Sequence, residues 1–359
     1  MENIKLDTME LKPAFIENNV ALLLCAGNLY VPYLSVVLQS ILENSSAVYN
    51  YDIIIFTSDI SIENQIILQE QLQAYTNFSI RFYNVVSVME SYMNLYLSKY
   101  YTIEIYFRLL APNILKSYDK ILYLDSDIIV QEDVAKLYTI ELSKEYLLAA
   151  CRDIEWIATY NANQIEKEYV NDILKLKNPQ NYFQSGIILL NLETFRNNFT
   201  NDLILQFATT QNWTFPDQDI LNSVAQERVL FLDPVWNILT GWSEKKRIKN
   251  IRKNSDKVLF KQYMAVRSHP NIIHYAGAEK PWLFDDVAFA DKWWQYLSRI
   301  PILYKKNIED NLLQAKQERK KLKYKLKRFI KKIAMPFVNL FFPKGSERRK
   351  KFKEKLGVK

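Results

Sequence analysis

Glycine is scarce, with six in 359 residues, which argues against a glycine-rich phosphate loop near the N-terminus. Cysteine is scarcer. Cys25 and Cys151 are too few for a disulfide framework and too far apart in sequence for a clustered thiolate zinc site. Both sit in apolar runs, so both are expected as core thiols in a reducing compartment. Histidine occurs twice, as His269 and His274, which leaves two positions for imidazole chemistry. No run of about 18 apolar residues occurs, so no spanning helix is expected. The opening MENIKLDTMELKPAF is acidic and has no long apolar stretch, unlike a signal peptide. The expected location is cytoplasmic.

What is present is the material of a large globular domain. Hydrophobic residues make up 49% and charged residues 24%, enough for a sizeable core. The 23 tyrosines and 19 phenylalanines mostly fill that core, though such rings also line sugar and nucleotide sites. The net charge of +7 is unevenly spread. Residues 316–359 hold 18 Lys or Arg and 3 Glu, so the preceding 315 residues are net acidic by eight. An acidic body does not suit specific nucleic-acid binding, and an anionic partner is expected at the tail.

Apolar, β-branched runs predict strands at 20–26 (VALLLCA), 51–57 (YDIIIFT), 77–83 and 121–124. Helical spacing predicts helices at 31–43, with Pro32 in the first turn, and at 61–75, capped by Ser61. This alternation implies an α/β fold with a mostly parallel sheet covered on both faces. Later strands are expected at 146–151, 185–191 and 271–275, and helices at 217–225 and 289–297. A boundary near Pro301 is expected to separate a catalytic domain, 18–300, from a basic tail, 301–359.

Four segments carry chemistry. In KILYLDSDIIV (120–130), an apolar strand ends in Asp125-Ser126-Asp127. Ligands of open α/β sheets bind beyond the carboxyl ends of strands. Two carboxylates two residues apart there can share a hard cation, which neutralises a departing diphosphate. In IIHYAGAEKPW (272–282), His274 follows an apolar strand. An imidazole completing an Asp/Asp set favours Mn²⁺ over Mg²⁺, although Mg²⁺ remains compatible. Gly277 permits close backbone approach to phosphate, and Lys280 adds a cation. His269, before Pro270, is assigned a structural role. YFQSGIILLNL (182–192) is a strand entered through small residues. FPDQDILN (215–222) places Asp217, Gln218 and Asp219 in one helical turn, more polar groups than capping requires, so a sugar-contacting role is expected.

In this order, over about residues 18–298, the segments resemble glycosyltransferase family 8, retaining enzymes that use nucleotide-sugar donors. The resemblance implies a single GT-A type domain with Mn²⁺ held by Asp125, Asp127 and His274. It implies that Cys25, Ala26 and Tyr30 surround a uridine, with Tyr30 stacking. Arg108 in IYFRLLAP, Ser126 and Gln184 join the donor site. Asp153 in ACRDIEW matches an acidic residue at the sugar, Asp217 and Gln218 match the pair beneath it, and Gly277 and Lys280 match the diphosphate contacts. Two departures are visible. Gly27 stands where the family commonly has Asp or Asn against uracil, and Gln184 stands where Asn is usual.

The expected reaction is retaining transfer of galactose or glucose from a UDP-sugar to a glycan or glycolipid acceptor, in lipopolysaccharide or cell-surface polysaccharide synthesis. Gln218 is expected to stabilise positive charge at the anomeric carbon through its carbonyl. Asp153 and Asp217 are alternative nucleophiles, though better suited to hydrogen bonding sugar hydroxyls. A non-catalytic sugar-nucleotide-binding or scaffold protein of the same fold and a nucleotidyltransferase are the competing classes. The first would dispense with the metal ligands, and the second usually needs a glycine-rich loop where this chain has CAGNLYVPY. In the tail, Leu322, Leu326, Phe329, Ile330 and Ile333 recur at helical spacing among lysines, and Phe337, Val338, Leu340, Phe341 and Phe342 follow. This pattern predicts peripheral attachment to an anionic membrane leaflet, on the inner face of the plasma membrane.

Overall fold

A computed structural model describes residues 10–89, 102–241, 243–341 and 346–348, with side chains described outside 322–341. The chain divides into two compact units, Met1–Lys306 and Asn307–Lys359. Among the described residues the first holds ten strands: β1 (Asn19–Cys25), β2 (Asn50–Thr57), β3 (Phe78–Asn84), β4 (Lys120–Leu124), β5 (Ile128–Val130), β6 (Leu148–Arg152), β7 (Phe183–Asn191), β8 (Val229–Phe231), β9 (Ile238–Leu239) and β10 (Ile272–His274).

Seven strands form the main sheet, in the order β3-β2-β1-β4-β7-β6-β8. The β1–β2, β2–β3, β1–β4 and β6–β8 pairs are parallel, and β7 runs antiparallel to both its neighbours. The sheet is therefore mixed and mostly parallel, as the alternation of strands and helices predicts. Its central strands bury side chains on both faces. Leu22, Leu23, Ile53, Ile54, Ile121, Leu122, Ile188 and Leu189 are all enclosed, each contributing about 1.5–3 kcal/mol relative to an exposed side chain. That two-sided burial is why these segments read as unbroken apolar runs.

Two features of the sheet locate the site. The strand order reverses between β1 and β4, which opens a crevice at their carboxyl ends. The chain also leaves the main sheet just after β4 and enters a second, three-stranded sheet, β5-β10-β9. Three residues, 125–127, make that transfer. β10 pairs antiparallel with β5, setting His274 against Ile128, and parallel with β9. The three-residue strands β5 and β8 and the two-residue β9 were not anticipated, because elements so short carry no periodicity.

Helix starts follow local chemistry. Ser61 Oγ accepts from Asn64 N at the head of Ile62–Leu72, as expected of a cap. The predicted thiols Cys25 and Cys151 are free and buried, and burial raises both above the ordinary thiol range. The helix Ile302–Phe341 includes residues 316–341 of the basic segment. The apolar stripe at 322–333 and the cluster ending at Phe342 lie outside the described side chains. Among the described residues no helix is long and apolar enough to cross a membrane.

Candidate active site

Asp125 follows β4 directly, and Asp127 precedes β5. Backbone bonds hold both: Asp125 N donates to Gly186 O at 2.7 Å, and Tyr275 N donates to Asp127 O at 3.0 Å. One oxygen of each carboxylate is committed to protein. Asp125 Oδ1 accepts from Tyr123 Oη at 2.6 Å and from Arg108 Nη2 at 2.9 Å. Asp127 Oδ2 accepts from Lys280 Nζ. The remaining oxygens, Asp125 Oδ2 and Asp127 Oδ1, lie 3.5 and 3.2 Å from His274 Nε2. The three ligand atoms all fall within 4.8 Å of one another.

The imidazole is oriented through a chain of donors. Gly186 N can only donate, and it donates to Gln184 Oε1 at 2.6 Å. Asn237 Nδ2 donates to the same oxygen at 2.7 Å. That fixes the Asn237 amide and leaves its Oδ1 to face His274 Nδ1 at 3.1 Å. An amide oxygen accepts, so Nδ1 carries a hydrogen and Nε2 is the nitrogen turned to the carboxylates, the one free to ligate a metal. Asp127 Oδ1 is buried and has no hydrogen-bond donor. A neutral imidazole would set its Nε2 lone pair against this oxygen at 3.2 Å, an arrangement that a cation between them would relieve. Neighbouring donors around a small octahedral cation lie about 3 Å apart, given bonds near 2.1 Å. The residues therefore fit a divalent ion, and Asp125, Asp127 and His274 would hold it.

Gly186 also makes room for the cluster. A Cβ at that position would sit 2.4 Å from His274 Cε1 and 2.5 Å from Asp125 Oδ2. It lies within the SGIILLN strand but was not singled out by sequence. The signal that could have found it is a glycine inside a strand, next to the apolar run Ile187–Leu190, which marks close approach by another group.

Beneath the cluster lies a second polar layer. Arg108 is buried. It pairs with Asp125 and Asp217, both at 2.9 Å, donates to Ser185 O at 2.8 Å, and stacks on Tyr123. Burial works against its charge, but Asp125 and Asp217 outweigh that and raise its pKa. Removing one partner from such a buried network costs about 3–5 kcal/mol, so Arg108 braces the aspartates. Asp217 Oδ2 accepts from Ser185 Oγ at 2.6 Å. Gln218 Oε1 accepts from Ser185 N at 3.1 Å, and its Nε2 donates to Asp153 Oδ2 at 3.1 Å. Asp153 also caps the helix Ile154–Ala162 through Trp156 N. Burial raises both Asp153 and Asp217 above the ordinary carboxyl range, against the opposing pull of Trp156 N in one and Arg108 in the other. Burial likewise disfavours charge on Asp127, but Lys280 and His274 together outweigh it and hold that group well below the range.

Thus Asp125, Asp127, His274, Lys280, Arg108, Asp217, Gln218 and Asp153 form one connected set. The other expected residues are more dispersed in role. Ser126 Oγ donates to Cys25 O at 2.9 Å, and Ala26 N to Phe56 O at 3.1 Å, bonds that tie β1 to its neighbours at the crevice. Tyr30 makes edge contacts with Tyr33 and Trp282. The Gln184 carbonyl is turned toward Gly186 and Asn237. Gly277 has φ +93° and open space around the Cβ position, a conformation that suits glycine. One expectation is corrected. Asp219 has no sugar-contacting position: it is fully enclosed, accepting from Tyr182 Oη at 2.6 Å, Tyr169 Oη at 2.7 Å and Phe215 N at 2.8 Å. Asp217 is likewise not a helix cap, since Phe215 holds the N-cap position of Pro216–Val224.

A sheet switch point, an acidic pair with histidine, and a buried polar floor define an enzyme that handles a ligand at the ends of β1 and β4. The sequence profile of glycosyl transferase family 8 matches residues 21–286. The chain belongs to that family and is a glycosyltransferase of GT-A type fold. General stress protein A of Bacillus subtilis (strain 168) is 26% identical over 281 residues, covering 76% of this chain and 91% of that protein. Lipopolysaccharide 1,2-glucosyltransferase of Escherichia coli (strain K12) is 27% identical over 183 residues, covering 49% of this chain and 48% of that protein. Among solved structures, the bifunctional glycosyltransferase WbbM superposes with a TM-score of 0.74 at 27% identity. That match covers 84% of this chain and 53% of WbbM, so the chain spans about half of that protein. The galactosyltransferase LgtC, solved with donor and acceptor sugar analogues, gives a TM-score of 0.64 at 20% identity, covering 80% of this chain and 99% of LgtC.

Proposed function

We propose that the chain is a retaining hexosyltransferase that moves galactose or glucose from a UDP-sugar to a glycan or glycolipid acceptor in cell-surface polysaccharide or lipopolysaccharide synthesis. The observation that carries this reading is the cluster in which Asp127 Oδ1, a buried oxygen without a hydrogen-bond partner, faces His274 Nε2 at 3.2 Å beside Asp125 Oδ2. A mixed nitrogen and oxygen donor set favours Mn²⁺, which when bound would neutralise the charge that develops on a leaving diphosphate. The glucosyltransferase and galactosyltransferase names of relatives support a hexose donor.

The chain's own residues divide the remaining work. Lys280, which pairs with Asp127, is assigned to the diphosphate. Gln218 is held by Ser185 and Asp153. Its carbonyl is assigned to stabilising positive charge at the anomeric carbon. Asp153 and Asp217, buried and hydrogen-bonded, suit binding of sugar hydroxyls better than free nucleophilic attack. The basic segment 316–359 is assigned to peripheral attachment at an anionic leaflet on the cytoplasmic side. The test is to incubate the protein with a panel of nucleotide sugars, Mn²⁺ and an acceptor glycan, and to read the product anomer by NMR. Retained configuration is expected, and an inverted product would overturn the mechanism.

A further inference from the structure

The acidic body is not acidic throughout. Residues 244–267 contain nine Lys or Arg and two acidic residues, whereas the rest of the first 315 residues contain 20 basic and 35 acidic ones. Two helices hold this segment, Glu244–Asn254 and Lys257–Val266, turned through Ser255 and Asp256. Their inner faces share one hydrophobic cluster. Ile251 and Tyr263 pack with Ile154, Ala158 and Ile238, and Ile248, Leu259, Phe260 and Val266 lie against them. Because both helices bury residues in the same cluster, their outer faces share one side of the molecule.

That outer side is cationic. Lys245, Lys249, Arg252 and Lys253 of the first helix and Lys257 and Lys261 of the second are exposed. None of the six forms an ion pair with a described carboxylate. The two glutamates nearby are otherwise engaged: Glu244 pairs with Arg267 and Arg247, and Glu155 with Arg247. Among the lysines stand two exposed aliphatic side chains, Val258 at 62% and Met264 at 38%. Concentrating like charge on an unneutralised face carries a cost in self-repulsion, which an anionic partner would remove.

We propose that this helical pair is a docking face for an anionic lipid surface, separate from the basic tail. Five of these six cations are lysines, whose long stems let charge reach headgroups while the helix lies flat. Val258 and Met264 suit the boundary between headgroups and acyl chains. A nucleic-acid backbone would use the charge but not those aliphatic groups. Among the described residues the face also offers no exposed ring on which a base could stack. The face adjoins the site. Arg247 of the first helix pairs with Glu155, two residues from Asp153, and its Nη1 lies 3.8 Å from the Cβ position of Gly241, which itself faces Ala276 O. Docking there brings the transfer site beside the surface on which a lipid-linked acceptor would be presented.

The test uses the full chain and vesicles of phosphatidylglycerol and phosphatidylcholine. One variant combines Lys249→Gln, Arg252→Gln, Lys253→Gln, Lys257→Gln and Lys261→Gln. Its control combines Lys116→Gln, Lys136→Gln, Lys144→Gln, Lys175→Gln and Lys177→Gln, which removes the same charge from elsewhere on the body. Partition onto anionic vesicles is expected to fall about tenfold or more in the first variant and far less in the control. Equal losses, or none, would overturn the proposal, as would tighter binding of duplex DNA than of vesicles through the same lysines. A second measurement avoids multiple substitution: Met264→Cys carrying an environment-sensitive fluorophore should blue-shift on anionic vesicles, and an unchanged spectrum contradicts docking. Manganese-dependent donor hydrolysis should be equal in all forms. Vesicle binding by a protein that hydrolyses no nucleotide sugar would sink the transferase reading and leave the docking face standing.

Discussion

Asn237 Oδ1 lies 3.1 Å from His274 Nδ1, and this contact decides which imidazole nitrogen is offered to a metal. Asn237 cannot turn over without presenting its carbonyl to Gln184 Oε1, which already accepts from Gly186 N. Outer-shell contacts of this kind typically change metal affinity by about 10–100-fold. Asn237→Ala is therefore expected to weaken Mn²⁺ binding by that factor, read by electron paramagnetic resonance titration. The fold, followed by circular dichroism, should persist. An unchanged Mn²⁺ affinity would show that the histidine needs no such guide.

Gly186→Ala should be more damaging than its size suggests. The added methyl would overlap His274 Cε1 and Asp125 Oδ2, so two of the three ligands must move apart. Transfer is expected to fall by about a hundredfold or more, because displacing catalytic groups by an ångström costs that much. Steady-state turnover together with a crystal structure of the variant would check it. Normal turnover would mean that the three ligand atoms need not stand so close.

Asp219 gives stability a pH dependence. Burial, against the bonds from Tyr182, Phe215 and Tyr169, raises its pKa from 3.8 to about 6. The folded state thus holds the proton more tightly than the unfolded chain. This favours folding below pH 4 and is lost as pH rises from about 4 through about 6, a change of about 3 kcal/mol. Urea unfolding at several pH values should show that loss, and Asp219→Asn should flatten it. Identical pH profiles for both proteins would count against the raised pKa.

The tail and the catalytic machinery should separate. Deleting residues 316–359 removes 18 basic side chains but no residue assigned to the site. Donor hydrolysis should remain close to that of the full chain, while binding to anionic vesicles weakens. Loss of hydrolysis on truncation would give the tail a part in the catalytic unit.

Much of this architecture is legible in the sequence because its signals are local. Residues 121–124 are apolar on both faces of a strand, and the polar triplet that follows ends it, so Asp125 and Asp127 announce themselves. His274 is likewise visible as the last residue of a short apolar run. Asn237 and Gly186 are not. Asn237 follows a single turn of 3-10 helix, Pro234–Trp236, and precedes a two-residue strand. Only the pairing of β9 with β10 brings it to the histidine. Asp219 misled for the opposite reason: three polar residues in one helical turn resemble a site, but one turn points in several directions. Asp217 and Gln218 face Ser185, while Asp219 faces two tyrosines. The cationic helical pair was hidden by averaging, since its charge is cancelled in the sum over the acidic body.

The most direct measurement is donor hydrolysis with Mn²⁺ across a panel of nucleotide sugars, run on the wild type and on Asp125→Ala, Asp127→Ala and His274→Ala. The account predicts hydrolysis of a UDP-hexose by the wild type, abolished by EDTA and restored by Mn²⁺. Each substitution should lower it by about a hundredfold or more, as the loss of several kcal/mol of charge stabilisation implies. Near-normal hydrolysis in all three variants, or activity indifferent to EDTA, would contradict the assignment of these residues as the metal site of the transferase.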